Sequence, residues 1–331
     1  MPGGTMSGTL RGGILLLGAI GVAALLAPWL APYDPDEQLD SAAASLQPPG
    51  TRLAAIHLAD GGWLLSDSVR RTPEGVEAVR RGEPLRFAAA EVLNLTADGV
   101  ADSRHFRLGS DRFGRDLLSR LVYGARVSAV IAGLATLLAL TLGLAVGSLA
   151  ALSGGLLDGI LMRGVDALLS FPDLFLLVAL AALFRPSDAL VVVILGGTGW
   201  MGVARVARAQ MLALKDREFV LAARGLGRSW LGIWWDHLLP NALGPILVQA
   251  ALLAGATILA EAVLSFLGLG IQPPRASWGN MIAEGRNLLS SAWWIATFPG
   301  LAICVAVVSL HLVGDGLRDR FDPRLRTTAD G

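Results

Sequence analysis

The sequence predicts an all-α membrane protein with six transmembrane helices, and three observations lead to this fold class. Of the 331 residues, 53% are hydrophobic and only 16% are charged, whereas roughly 25% of a typical soluble domain is charged. Apolar runs recur that are long enough to cross a hydrocarbon core of about 30 Å at about 1.5 Å per residue. The basic residues of the short loops lie mainly on one side of these runs.

Composition also excludes several functions. The formal net charge is +0, whereas nucleic-acid-binding proteins usually carry a basic excess, so no nucleic-acid partner is expected. Cys304 is the only cysteine, which rules out an intrachain disulfide and a cysteine cluster for a metal. The four histidines lie far apart and show no HExxH spacing, so neither a metal site nor a cofactor is expected.

The first apolar run, residues 12–31, is interpreted as the first span. A cleaved signal peptide is the alternative, because the run follows a single basic residue, Arg11. Pro28 and Pro32 interrupt the small-residue pattern of a cleavage site, and the run is long for a signal peptide. An uncleaved helix is therefore favoured.

Residues 33–126 differ in kind from the rest, because they are rich in charges and in turn signals such as Asp60-Gly61-Gly62. This composition predicts a small extramembrane insert with hairpins. Its last part, residues 108–128, places an apolar stripe opposite Asp116, Arg120 and Arg126. We expect this part to form a helix at the membrane surface.

Five further spans follow the insert. Their predicted ranges are 127–157, 158–184, 189–203, 243–267 and 293–313. Pro172-Asp173 lies within the third span of the chain and predicts a kink or a local unwinding there.

The stretch 217–240 is the most informative loop. Phe219, Ala222, Ala223 and Leu226 recur at helical spacing on one face, with Arg217, Arg224 and Arg228 on the other. Gly225 and Gly227 allow this helix to end, and Ser229 can cap a second helix. Pro240 is expected to stop that second helix at Leu239. The prediction is helix, tight turn, helix.

This loop resembles the cytoplasmic EAA loop of permease subunits of binding-protein-dependent ABC importers. The matching residues are Ala222-Ala223, Gly227 and the run His237-x-Leu239-Pro240-Asn241, and the last run is similar to the dipeptide and oligopeptide branch. The sequence departs from the family at Leu221, where an acidic residue is usual. Glu218 could partly substitute for it.

Three other segments are similar to the same family. LGSDRFGRDLLSRLVYGARVS (108–128) resembles the segment before the second span, EAVLSFLGLGIQPPRASWGNMI (261–282) the segment after the fifth, and GDGLRDRFDPRLR (314–326) the cytoplasmic tail. The resemblance implies the type I importer permease fold with an extracytoplasmic insert. The implied organisation is a tail and first helix at 1–32, the insert at 33–126, a five-helix core at 127–315 with the EAA loop at 204–242, and a cytoplasmic tail at 316–331.

The resemblance also implies partners and a site. The expected partners are a second homologous permease, two ATP-binding subunits, an extracytoplasmic solute-binding protein and membrane lipid. The chain would form half of a translocation pathway for peptides or similar small solutes in the bacterial inner membrane. The implied ATPase-coupling residues are Glu218, Ala222, Ala223, Arg224, Gly227, His237, Leu239, Pro240 and Asn241.

Basic residues predict that both termini are cytoplasmic. If the EAA loop is inside, that side carries twelve basic residues, against three (Arg185, Arg275 and Arg286) in the short loops opposite. The long insert is left out of this comparison, because long domains translocate largely regardless of charge.

No enzymatic cluster is found, and no GxxxxGK[ST] loop is present, because the one lysine, Lys215, precedes Asp216. ATP hydrolysis is therefore expected on partner subunits. Asp166, Asp173 and Glu261 are acids in or near spans, where they could line a pathway. Each also has a structural interpretation: Asp166 could pair with Arg163, Asp173 could cap a helix, and Glu261 could bond a neighbouring helix. An ion-coupled secondary transporter is the alternative function, and a membrane-embedded enzyme is a third.

Overall fold

The structure is a computed structural model that describes residues 8–73, 75–96 and 99–321. In chain order the helices are α1 (Gly8–Leu25), α2 (Ala27–Leu30), α3 (Ser41–Ala44), α4 (Leu117–Ser153), α5 (Gly155–Leu169), α6 (Asp173–Ala182), α7 (Asp188–Leu214), α8 (Glu218–Gly225), α9 (Trp230–Ile233), α10 (Leu239–Phe266), α11 (Trp278–Gly285) and α12 (Trp294–Phe321). A five-residue π-helix, Trp234–Leu238, joins α9 to α10.

The strands all lie between α3 and α4. They are β1 (Thr51–His57), β2 (Trp63–Ser66), β3 (Ser68–Thr72), β4 (Gly75–Arg80), β5 (Glu83–Phe87), β6 (Leu95–Thr96), β7 (Gly99–Val100) and β8 (Asp102–Phe106). A 3₁₀ turn, Ala89–Glu91, follows β5.

The chain packs into two units. Within the described residues, the helical unit comprises 8–22, 127–272 and 302–321, and the mixed unit comprises 23–126 and 273–301. The segment 273–293, between α10 and α12, thus belongs to the mixed unit. The tail expected at 316–331 is described only up to Phe321.

Among the described residues, five helices are long and apolar enough to cross a membrane: α1, α4, α7, α12 and the continuous stretch from Trp230 to Phe266. The sixth candidate is the pair α5 and α6, whose axes are bent by 84° at residues 170–172. Pro172 cannot continue a helix through its own nitrogen, so the break predicted at Pro172-Asp173 is confirmed. The all-α, six-span prediction is confirmed by this set of helices.

The core of the helical unit lies where α4, α6, α7 and α10 meet. Its buried side chains include Ile131, Leu177, Ile194 and Leu264. Because a bilayer removes the hydrophobic driving force between helices, close packing of such side chains holds the spans together.

Helix α1 packs on α12 through small residues. A Cβ atom added to Gly13 would lie 2.9 Å from the carbonyl oxygen of Ser309, a distance that real Cβ atoms do not show. Leu10 of α1 is buried. The first and last described helices are therefore in direct contact.

The insert consists of antiparallel hairpins, as the turn signals predicted. One sheet has the strand order β2-β1-β8 and a second has β3-β4-β5, while β6 and β7 form a short pair. The predicted turn at residues 60–62 joins β1 to β2, with His57 opposite Trp63. Leu39, Leu53, Leu65 and Phe106 fill the core beneath the first sheet.

Residues 117–126 differ from the separate surface helix expected there, because they form the first turns of the 37-residue helix α4. Asp116 precedes this helix and accepts hydrogen bonds from the backbone nitrogen and the Oγ of Ser119, both at 2.8 Å. Burial raises the pKa of the Asp116 carboxyl group above its usual value, and the bonds from Ser119 oppose that shift.

Arg120 was expected on a polar helix face, but its side chain is fully buried in an ion-pair network. Arg115 Nε lies 2.5 Å from Asp111 Oδ2, and Arg115 Nη2 lies 2.9 Å from Glu284 Oε2. Arg120 contacts the same two acids at 3.5 and 3.4 Å, and Asp36 at 3.6 Å. We call Asp111, Arg115, Arg120 and Glu284 the buried network.

Candidate functional site

The helix–turn–helix predicted for residues 217–240 is confirmed in its first half. Helix α8 begins at Glu218 and ends at Gly225, and Gly227 adopts a φ of +79° that a side chain would strain. Ser229 caps α9, because its Oγ accepts the backbone N–H of Gly232 at 3.2 Å. We call residues 215–238 the coupling loop.

The stop expected at Pro240 is wrong. The helical stretch runs on from Trp230 to Phe266. The reason is the π-helix at Trp234–Leu238, where the N–H of Leu239 bonds to the carbonyl of Trp234. This wider turn shifts the hydrogen-bonding pattern just before Pro240, which then occupies the first turn of α10, where a missing N–H is tolerated. Such π turns are frequent at functional sites.

The structure shows which side of α8 faces the protein, a point that the sequence prediction left open. Val220 is buried and Ala223 packs partly against the same cluster, whereas Phe219, Ala222 and Leu226 are exposed. The spacing of apolar residues identified a helix correctly but could not show which of its apolar sides faces the protein.

A cluster of buried side chains supports the coupling loop from below. Val220, Ile233 and Leu238 of the loop pack with Ala151 of α4 and Met211 of α7. Trp234 adds a polar anchor, because its Nε1 donates to Ser148 Oγ of α4 at 2.8 Å. The loop is therefore fixed to both α4 and α7.

Polar and aromatic contacts tie the parts of the loop together. The Arg224 guanidinium lies 4.5 Å from the ring centre of Trp230, which joins α8 to α9. Arg228 pairs with Asp236. The rings of Phe219 and His237 are 6.2 Å apart. These contacts give Arg224 and His237 a part in the shape of the loop.

The remaining predicted site residues lie around this fold. Glu218 is exposed in the first turn of α8. Asn241 Nδ2 donates to the carbonyl of His237 at 2.7 Å, across one turn. Leu239 is half-buried, and Pro240 is exposed beside it. The structure thus brings the two ends of the predicted motif into one surface region.

The coupling loop exposes an apolar surface that sequence reasoning missed in part. Leu226 is 89% exposed, Leu231 76% and Trp235 65%. Phe219 and Leu221 are exposed as well. We call these five residues the exposed loop surface. Leu231 and Trp235 were not predicted, although large apolar residues in the loop between two predicted spans are a signal that could have found them.

The three acids of the spans have separate surroundings. Asp166 pairs with Arg205 of α7 at 2.5 Å and not with Arg163, as had been suggested from sequence. Asp173 lies exposed in the first turn of α6, and no side-chain bond caps that helix. Asp173 therefore does not cap the helix through a side-chain hydrogen bond. A carboxylate in the first turn still interacts favourably with the helix dipole.

Glu261 is buried in α10 and hydrogen-bonded. Its Oε1 accepts from Ser265 Oγ at 2.7 Å, and its Oε2 from Ser128 Oγ of α4 at 3.4 Å. The backbone N–H of Ile271 in turn donates to Ser265 Oγ at 3.1 Å. This arrangement matches the structural interpretation, in which Glu261 bonds a neighbouring helix.

The candidate site is an exposed, largely apolar protein surface. Across the described ranges, no group of three histidine, cysteine or acidic side chains is placed to hold a metal ion. A set of membrane-crossing helices with an exposed apolar loop surface is typical of a membrane protein that contacts another protein.

Comparison with known proteins identifies the family. Residues 122–327 match the family described as "Binding-protein-dependent transport system inner membrane component". The chain belongs to this family. Residues 11–49 match a second family, the N-terminal TM domain of oligopeptide transport permease C. The chain is therefore a multi-pass permease component of the inner membrane, and the ion-coupled secondary transporter is the wrong alternative.

Relatives extend over most of the chain. The di/tripeptide transport system permease protein DppC of Pseudomonas aeruginosa (strain UCBPP-PA14) is 35% identical over 96% of this chain and 89% of its own length. The dipeptide transport system permease protein DppC of Bacillus subtilis (strain 168) is 40% identical over 70% of this chain and 73% of its own.

A solved structure shares the fold. In the MetNI methionine ABC transporter in its inward facing conformation, one chain superimposes with a TM-score of 0.51 at 17% sequence identity. The match covers 61% of this chain and 96% of that chain. The expected type I importer permease fold is confirmed by this likeness.

Proposed function

We propose that the chain is the permease subunit of an ATP-driven importer for di- or oligopeptides. The support is the peptide transport named for its relatives and the match of residues 11–49 to an oligopeptide permease segment. The chain forms half of the translocation pathway and pairs with a second, homologous permease. An extracytoplasmic solute-binding protein delivers the peptide, and membrane lipid surrounds the spans.

Energy reaches this subunit from two ATP-binding subunits that dock on the coupling loop. The observation that carries this proposal is the exposed loop surface. Phe219, Leu221 and Leu226 lie outside the candidate spans, and Leu231 and Trp235 lie in the first turns of a 37-residue helical stretch, which is longer than the about 20 residues that cross a hydrocarbon core. Exposed apolar side chains there commonly mark a protein interface. The loop is supported by α4 and α7 through buried contacts. A push on the loop is therefore passed to the spans instead of being absorbed locally.

The proposed orientation follows from the same assignment. With the coupling loop in the cytoplasm, the start of α1 and the end of α12 are on the cytoplasmic side as well, and the insert with its hairpins is extracytoplasmic. The charge distribution of the short loops supports this arrangement.

Replacement of Leu226 or Leu231 by aspartate tests the docking surface. Both side chains are highly exposed, so either variant should fold and insert normally. Each should lose copurification with the ATP-binding subunits and should reduce uptake of a radiolabelled dipeptide at least about tenfold, because a charge at the centre of an apolar contact is poorly tolerated.

Leu93→Asp is the matched control. Leu93 is 69% exposed in the insert, so the same chemical change is made far along the chain from the coupling loop. It should leave ATPase copurification unchanged. Normal copurification by both loop variants would refute the docking role. A wild-type complex that takes up no dipeptide would refute the peptide class alone.

Tryptophan replacements at Ala222 and Ala223 separate docking from folding. Ala222 is exposed, so Ala222→Trp should insert at normal levels but fail to bind the ATPase. Ala223 packs on the cluster beneath the loop, so Ala223→Trp should also lower stability, by about 1 to 3 kcal/mol for overpacking. Thermal unfolding and copurification of both variants distinguish the two effects.

A further inference from the structure

Helix α5 is a short helix with a break at each end. Gly154 precedes α5, and Gly155 is its first residue. Their φ values are +63° and +54°, in the left-handed region that favours glycine. At its other end the chain turns by 84° before α6 begins at Asp173. Residues 155–169 can therefore change direction relative to α4 and α6 without unwinding.

Two ion pairs fasten α5 to α7. Arg208 holds Asp158 with two bonds, Nε to Oδ1 and Nη2 to Oδ2, both at 2.6 Å. Arg205 Nη2 bonds to Asp166 Oδ1 at 2.5 Å. Asp158 comes before Asp166 in α5, whereas its partner Arg208 comes after Arg205 in α7. The two helices therefore run antiparallel.

An apolar contact lies between the same two helices. Val165 of α5 is buried against Met201 and Ala204 of α7. The seam thus combines an apolar contact with polar bonds at two positions, and this combination fixes both the distance and the register of the two helices.

The two ion pairs differ in strength. The side chains of Arg208 and Asp158 are 34% and 16% exposed, and their bidentate geometry is the strongest that a guanidinium and a carboxylate form. Arg205 and Asp166 are more than half exposed and share one bond, so solvent weakens their attraction. Arg208 and Asp158 are the principal fastening.

Helix α7 leads directly into the coupling loop. It ends at Leu214, and α8 begins at Glu218. Met211 near the end of α7 packs with Val220 of α8. Any displacement of the loop therefore acts on the part of α7 to which α5 is fastened.

We propose that Asp158 and Arg208 are positioning residues that make α5 move with α7 when the coupling loop moves, so that the angle between α5 and α6 changes. This inference rests on the proposed function of the coupling loop. The pairs give Asp166 and Asp158 a mechanical role, and neither acid needs to contact the solute.

Charge reversal tests the fastening in the complete importer. Asp158→Arg and Arg208→Asp should each assemble with the ATP-binding subunits and hydrolyse ATP, while dipeptide uptake per ATP hydrolysed falls about tenfold, equivalent to about 1.4 kcal/mol of lost coupling. The double variant Asp158→Arg/Arg208→Asp restores the pair with exchanged charges. It should recover most of the uptake per ATP.

A cross-link tests the same inference without removing the principal pair. In a Cys304→Ser background, Asp166→Cys and Arg205→Cys are joined by a thiol cross-linker about as long as the pair they replace. If α5 and α7 move together, the linked protein should still take up dipeptide at near wild-type rates. If cross-linking abolishes uptake and reduction of a reducible linker restores it, the inference is wrong. Unchanged uptake per ATP in both charge-reversal variants would also overturn it.

These outcomes are separate from those of the proposed function. If the wild-type chain does not associate with ATP-binding subunits, the coupling role fails, whatever the α5 variants do. If the wild type is coupled and the charge-reversal variants are equally coupled, only the fastening of α5 fails.

Discussion

Arginine–carboxylate pairs occur in both units of the molecule, but they are built differently. In the mixed unit, Arg115 and Arg120 share Asp111 and Glu284, and all four side chains are at least nine-tenths buried. In the helical unit, Arg208–Asp158 and Arg205–Asp166 are partly exposed at the surface of the chain. The same chemistry can therefore serve a fixed arrangement in one unit and an adjustable one in the other.

The difference follows from the cost of burying charge. Moving ions out of water costs several kcal/mol for each ion, and this cost is met only when each ion keeps its partners. The buried network joins residues near the start of α4 to α11, so its loss would loosen segments far apart in sequence. The pairs between α5 and α7 can break and re-form against water at small cost.

The largest effect is expected for Glu284→Ala. It leaves two buried arginines with Asp111 as the remaining close partner in the buried network, and breaking such a network typically costs about 3 to 5 kcal/mol. Thermal unfolding of the purified importer should show a large fall in Tm and reduced expression.

The control for Glu284→Ala is Glu77→Ala, which breaks the Glu77–Arg86 pair in the same unit. Arg86 is exposed, so this change should cost less than about 1 kcal/mol. Equal destabilisation by the two alanine variants would contradict the contrast between buried and solvent-reached pairs.

An intermediate effect is expected for Asp158→Ala. Loss of a partly exposed bidentate pair should lower stability by about 1 kcal/mol, well below the effect at Glu284. Asp166→Ala, which removes the more exposed pair, should change stability by less than about 0.5 kcal/mol. Unfolding measured in 0.05 and 0.5 M salt sharpens the comparison. Salt weakens the exposed pairs of the wild type, so the stability lost by Asp158→Ala and Asp166→Ala should be smaller at high salt, whereas the loss caused by Glu284→Ala should be nearly the same at both.

The smallest effect concerns Asp116, beside the buried network. Because its pKa is raised in the folded protein, the neutral acid is favoured there, and its contribution to stability is full below pH about 3.8 and declines as the pH rises through the folded pKa. Asp116→Asn mimics the neutral acid. Its Tm relative to wild type should therefore be higher at pH 7 than at pH 4.

Asp116→Ala is the companion variant. It loses the bonds to Ser119 at every pH and should cost about 1 kcal/mol. If the Tm difference between Asp116→Asn and wild type is the same at pH 4 and pH 7, the carboxyl group is not destabilised by burial.

Local signals predicted the local structure of the site. Gly227, Ser229 and the spacing around α8 were enough to predict two helices joined by a turn, and Pro172 was enough to predict the break in the third span. The prediction that Pro240 ends the helix was wrong, because the effect of a proline depends on the hydrogen bonding of the turn before it. Here a π-helix precedes Pro240 and changes which carbonyl group requires a donor.

Long-range partners could not be predicted from one sequence. Arg120 was expected on the polar face of a surface helix, because its acidic partner Glu284 lies in a distant segment. Nearby Arg163 was one candidate partner of Asp166, whereas its partner in the structure is Arg205 of α7. The inward side of α8 depends in the same way on Ile233 and Leu238, which the turn brings beneath it. Contacts between segments far apart in the sequence therefore determine where these side chains lie and what they bind.

The contact between α1 and α12 bears on how the protein is made. A ribosome delivers α1 first and α12 last, and Gly13 can meet Ser309 only after the chain between them has been synthesised and inserted. During that interval the side of α1 at Gly13 lacks its contact with α12. The pairing of these two helices therefore comes late in the assembly of the helical unit, after the spans between them have been made.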